Sequence, residues 1–260
     1  MMTATTYAGP AIRVRSKKAS LRRLTGIELR KMADTRAGIA LLGITALIAI
    51  VMMFVLAFAT SANDGGLSDF FRNTLGLVGA LLPVLGILAA TSEWSQRTAL
   101  STFTLVPHRE RIAAAKLGAV VLLAAVTTVV SLGTSAIGNG IFNATGGNGS
   151  WHLPLAVLAN GLVGQVLAMV IGLAFGLLLM NSPLAIVAYF LVPTVIQVLT
   201  GVVHALEKPF RWIDLTGNLN KLTDAHVSST TWAHVAVTAA VWLVLPLVVG
   251  MVRLSRREVK

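Results

Sequence analysis

The 260-residue chain contains no cysteine. That excludes a disulfide framework, a thiol nucleophile and thiolate metal sites. Charge is nearly as scarce. Only 12% of the residues are Asp, Glu, Lys or Arg, and between Leu117 and Leu206 there are none. A soluble domain carries about 25%, so a water-soluble globule of this length would lack the charge to cover its surface. Acids are the rarer sign, with 10 against 21 basic residues. Catalytic signatures are missing too. There is no G-x-x-x-x-G-K-[ST], so nucleotide hydrolysis by a P-loop is excluded, and no H-E-x-x-H or G-x-S-x-G. His108, His152, His204, His226 and His234 are scattered and form no metal-spaced cluster, so no metal is expected.

What is abundant is apolar sequence. The hydrophobic share is 55% and the mean hydropathy +0.79. A bilayer span needs about 20 consecutive, mostly apolar residues. Six segments qualify: Ala37–Thr60, Phe70–Thr91, Ile112–Ile137, Pro154–Met180, Pro183–Leu206 and Trp232–Leu254. The expected fold is all-α, a polytopic membrane protein with six transmembrane helices. Its divisions are a basic arm with an interfacial helix over 1–36, the membrane domain over 37–254 and a tail over 255–260.

The net charge of +11 would suggest nucleic acid in a soluble protein. Its placement in short patches between apolar runs points instead to membrane orientation. The arm through Arg36, the connection after the second span and the tail hold seventeen Lys and Arg, and the other side holds Arg72, Lys208, Arg211 and Lys221. Both termini are therefore expected in the cytoplasm, in a cytoplasmic (inner) membrane. The arm is too long for the n-region of a cleaved signal peptide. Residues 1–20 read as disordered. Leu21–Arg36 reads as an amphipathic helix with Leu21, Leu24, Ile27, Leu29 and Met32 on its apolar arc, lying in the lipid interface. Membrane lipid is thus an expected partner, and nucleic acid is not.

Two outer segments differ. Gly138–Ser150, rich in Gly and Asn, reads as a flexible loop, and its two N-x-[ST] patterns at Asn143 and Asn148 as chance matches. Glu207–Thr231 is mixed in character and fits short helices resting on the outer interface, with Trp212 and Trp232 as belt residues.

Within the spans, no Asp or Glu occupies a middle position, which argues against a proton-driven relay. The fourth span carries Asn160, Gly164, Ala168, Gly172 and Gly176 at unbroken four-residue spacing. Small residues so placed form a packing seam, within the subunit or between subunits. The fifth carries Tyr189, Gln197, Thr200 and His204 on one arc, with Pro193 on the same face. That face either lines a pathway or joins helices by hydrogen bonds, and Gln165 is open to the same two readings. Pro83, Pro193 and Pro246 are mid-span and predict kinks.

The connection after the second span runs from Glu93 through Arg97, Thr98, Leu100, Phe103, Leu105, Pro107 and Arg109 to Lys116. It begins with an acid, continues as a short apolar helix, and stops before Pro107, where basic residues follow. This pattern resembles the ABC-2 type transporter permease family. In that family an acid closes the second span, Gly-Thr follows, then a short apolar helix, Pro, Arg, and a Lys opening the third span. Glu93, Thr98, Pro107, Arg109 and Lys116 match, and Arg97 departs from the usual Gly. The run Glu28-Leu29-Arg30-Lys31 followed by Arg36 also resembles the family's connecting helix.

The resemblance implies the permease subunit of an ATP-driven exporter. It implies a dimer, with a second identical or related permease copy, and a separate ABC ATPase that binds ATP and Mg and docks on the 93–116 connection. It implies no cofactor and no catalytic residue in this chain. The alternatives from the residues are a non-transport scaffold or immunity protein, and an ion-coupled secondary carrier, which the missing intramembrane acids disfavour.

Overall fold

A computed structural model of the chain describes residues 20–59, 65–95, 109–224 and 226–256. Among them every regular element is helical, apart from one isolated bridge between Gly66 and Ser150. The elements are α1 (Leu21–Asp34), α2 (Arg36–Ala59), α3 (Leu67–Leu81), α4 (Pro83–Ser95), α5 (Arg109–Ala144), α6 (Leu155–Leu179), α7 (Ser182–Val202), α8 (His204–Phe210), α9 (Leu215–Asn220), α10 (Ser229–Ala239) and α11 (Leu245–Arg256). Six continuous stretches are long and apolar enough to cross a bilayer: Arg36–Ala59, Leu67–Glu93, Glu110–Ala144, Leu155–Leu179, Ser182–Val202 and Ser229–Arg253. The chain is an all-α, multi-pass membrane protein. The disordered reading of residues 1–20 falls, but for Ser20, outside the described residues.

The bundle is organised around α6. Its run from Ala168 to Leu177 is buried on all sides, as an apolar-all-round helix must be. α3, α4, α5, α7 and α11 pack around it, and α2 lies outside against α3 and α5. α2 and α7 present long apolar surfaces outward, including Leu47, Phe58, Val187 and Val198. In water those faces would associate. In lipid they are solvated.

Local sequence explains each break. Ser20 caps α1 by accepting from the Arg23 N–H, and Asn181 caps α7 by accepting from the Leu184 N–H. Pro183 sits in the first turn of α7, where its missing N–H is not needed. Pro83 interrupts the second span at Leu82, so the span is two helices, α3 and α4, whereas α7 continues unbroken past Pro193. Pro246 follows a wide turn at Ala240–Val244, in which the Leu245 N–H bonds the carbonyl of Ala240, five residues back.

Three expectations change. The third span does not end at Ile137: α5 continues to Ala144, so half of the expected Gly138–Ser150 loop is helix. The remainder is a tied turn. Asn143 donates to the Gly149 carbonyl at 3.0 Å and accepts the Gly149 N–H at 2.6 Å. Gly146 holds φ +100° there, which a residue with a Cβ rarely adopts. Second, the fifth span ends at Val202, and His204 begins the separate helix α8. Third, the outer segment does not rest on the surface alone. Leu215, Asn218 and Leu222 are buried, and the segment packs on α6 and α10. Arg72 fastens it by donating to the Thr223 carbonyl at 2.6 Å and to Asp224 at 2.7 Å. Trp212 and Trp232 remain about half exposed, as belt residues would.

Candidate functional site

At one end of the bundle three helices bring four charged side chains together. Lys116 of α5 places Nζ 2.8 Å from Glu28 Oε2 and 3.3 Å from Glu93 Oε1, and it donates to the Ala89 carbonyl at 2.6 Å. Lys31 completes the group, 2.7 Å from Glu28 and 3.9 Å from Glu93. Lys116, Glu28 and Glu93 are each more than nine-tenths buried. Charges are buried at this depth only when paired. Burial alone would raise the Glu28 carboxyl, but the Lys116 and Lys31 charges and their bonds outweigh it, and hold it below the usual carboxylate value.

Close helix approach makes the cluster possible. A Cβ on Gly118 would lie 3.1 Å from Thr25 Oγ1, so glycine at 118 lets α1 lie directly on α5. The buried side of α1 is Glu28 with Met32, whereas Leu21 and Ile27 are exposed. This corrects the expected apolar arc. α1 docks through a charged residue, and part of its apolar edge is left for lipid.

Glu93 and Lys116 flank the connection that the sequence singled out. They meet in space, Glu93 in the last turn of α4 and Lys116 two turns into α5. Thr98, Leu100, Phe103, Leu105 and Pro107 lie outside the described residues, and Arg109 is the first residue of α5. Glu28 and Lys31 are the members that the sequence pattern of the connection does not include, and Glu28 is the buried one. Its signal was there: it is the only acid before Asp34 in an otherwise basic arm.

The small-residue stripe of α6 is a seam within the subunit. A Cβ on Gly172 would collide with the carbonyl oxygen of Pro83, and one on Gly176 would lie 2.8 Å from that of Ile87 and 2.6 Å from the Ala90 Cβ. Gly86 of α4 is equally close to the backbone of Met169. α4 and α6 thus meet backbone to backbone along Gly172 and Gly176. Ala168 is buried, and Gly164 faces Leu222 of the outer segment.

The polar face of α7 divides. Tyr189 and Pro193 border a cavity of about 310 Å³ between α3, α6, α7 and α9, as do Gln165, Gly164 and Ala168. Gln197 instead donates to Asp214 at 3.2 Å, and Thr200 bonds back to the Gln197 carbonyl at 2.9 Å. His204 stands beyond the end of α7.

Among the described residues no group of His, Asp and Glu is arranged to hold a metal. No protein-family model matches this chain, and no curated protein matches it in sequence.

Proposed function

We propose that this chain is the permease subunit of an ATP-binding cassette exporter of the cytoplasmic (inner) membrane. In this reading it works as a dimer and takes its energy from a separate ATPase that binds ATP and Mg and docks on residues 93–116. One observation carries the reading. The ion cluster fastens α1 to both roots of that connection. A force applied to the connection would reach the second span, the third span and α1 as one unit, which is what rigid-body coupling requires. The likeness of Glu93, Thr98, Pro107, Arg109 and Lys116 to the permease pattern supports it, as does the lack of any P-loop in the chain.

Mild-detergent purification from the native membrane tests the reading. A P-loop ATPase is expected to co-purify, and to be lost in Leu100→Asp and Phe103→Asp variants that keep the parent's melting temperature. If no ATPase comes with the intact chain, or if the variants retain it, the reading fails.

A further inference from the structure

The cavity on the side of the bundle has a built floor and an open mouth. Gln165, Ala168, Tyr189 and Pro193 form the buried floor. Gly76 and Ala80 of α3 face Phe190 and Thr194 of α7 across the mouth, and all four are exposed. Leu215, Leu219 and Thr223 of the outer segment close the top. Thr194 stands twelve residues beyond Ser182, ~18 Å along α7 at 1.5 Å per residue, so the mouth lies deep within the apolar band.

Two features describe what would fit. The lining holds no Asp, Glu, Lys, Arg or His, so a charged ligand would find no counter-charge. The Gln165 side chain is only 3% exposed, yet its Nε2 has no hydrogen-bond partner. A buried amide left unmatched is costly, and such groups call for an explanation. Here the missing partner is an acceptor, and since Nε2 as placed is closed to a water-sized group, the amide must turn toward the cavity to meet one. The volume falls at the small end of the range for ligand pockets, about 300–1,000 Å³. The space comes from glycine and alanine on both walls, and the Tyr189 and Phe190 rings, 5.1 Å apart edge to face, border it.

We propose that this cavity binds a small, uncharged, largely apolar molecule carrying a hydrogen-bond acceptor, which enters from the lipid between α3 and α7 and takes its bond from Gln165. The binding needs only this chain in a membrane. It therefore stands or falls separately from the exporter reading, which turns on a partner ATPase.

Benzophenone is a suitable probe, being neutral, apolar, equipped with one carbonyl acceptor and photoreactive in itself. The full chain in phosphatidylcholine nanodiscs would be irradiated with it, and the adducts mapped by peptide mass spectrometry. Adducts are expected to concentrate on residues 76–80 and 190–194, well above those on Leu47 and Phe58 of α2, which are more open to lipid than Phe190 is. Gly76→Leu should abolish that excess. A Cβ at Gly76 meets nothing within 4 Å, so the side chain can grow into the mouth without displacing backbone. Gln165→Leu should lower it about fivefold, the worth of one neutral hydrogen bond, without lowering the melting temperature. The carboxylate analogue 4-benzoylbenzoate should label the site weakly. Labelling that simply follows exposure, that survives both variants, or that is as strong with the carboxylate would overturn the proposal.

Discussion

Replacing Lys116 with methionine removes the charge at the centre of the ion cluster while keeping most of the side chain's length. Glu28 and Glu93 are then left buried at the same spot without the ammonium that lies 2.8 and 3.3 Å from them. The Ala89 carbonyl also loses its donor. Deleting one partner of a buried ion pair costs about 3–5 kcal/mol. Lys31 stays within reach of both carboxylates but is itself half exposed, so the lower figure, ~3 kcal/mol, is the one to expect. The loss falls on the docking of α1, because α4 and α5 remain joined to α6. Hydrogen exchange in detergent micelles reads it directly. The amides of α1 should exchange about 150-fold faster in Lys116→Met, with those of α6 little changed. A second variant guards against misreading. Glu28→Gln, Glu93→Gln and Lys116→Met together leave no stranded charge, and should restore most of the protection. If Lys116→Met protects α1 as well as the parent does, the cluster is not what holds that helix. If the triple variant is no better than the single one, the cost does not come from stranded carboxylates.

The same cluster sets a pH dependence. The folded Glu28 carboxyl titrates below its ordinary value of 4.5, so its contribution is fully present above that value and is lost as pH falls through the lowered one. Exchange protection of α1 should hold from neutral pH to about 5 and fail in stronger acid, and Glu28→Gln should flatten the acid limb. In the α4–α6 seam, Gly172→Ala forces a Cβ onto the Pro83 carbonyl and should cost about 1–3 kcal/mol, seen as a lower melting temperature. Gly43→Ala, which meets nothing within 4 Å, should melt no lower than the parent. Asn143→Ala deletes both bonds to Gly149, about 2 kcal/mol together, and should open the 145–150 turn to limited proteolysis that the parent resists.

The architecture was legible because a bilayer imposes one simple requirement, a run of apolar residues long enough to span it. All six runs are helical, and within the small-residue stripe of α6 Gly172 and Gly176 lie against the α4 backbone. The sequence left open which helix fills the seam, since the spacing says only that some backbone comes close. The misjudged boundaries share a cause. Asn and Gly around residues 138–144 read as loop because their side chains favour turns. Here Phe142 packs on Phe70 and α5 runs on through them, so tertiary contact outweighs local preference. No charge interrupts the fifth run before Glu207, so it reads on to Leu206, but the backbone turns at Val203. The polar arc of α7 was visible as an arc. That its members part company, Tyr189 to the cavity and Gln197 to Asp214, depends on an outer segment whose return to the bundle no periodicity announces. Glu93 and Lys116 stand out in the sequence by their place in a pattern, and Glu28 joins them because α1 folds back across 88 residues of sequence to reach Lys116.

The wide turn at Ala240–Val244 gives the last span two differently aimed halves. One extra residue in a coil advances the following turns by about 100° around the axis. On the near side the span serves the outer segment: Thr238 accepts from Asn218 before the turn, and within the turn the Trp242 indole donates to the Ile213 carbonyl. After it, Gly250 lies against Leu177 and Arg253 donates to the Leu178 carbonyl at the far end of α6. A uniform α-helix would aim only one of these sets at its partners. The span is thus a shaft pinned at both ends with a swivel between them. Any twist of the outer cap relative to the opposite end of the bundle will be taken up in those five residues first.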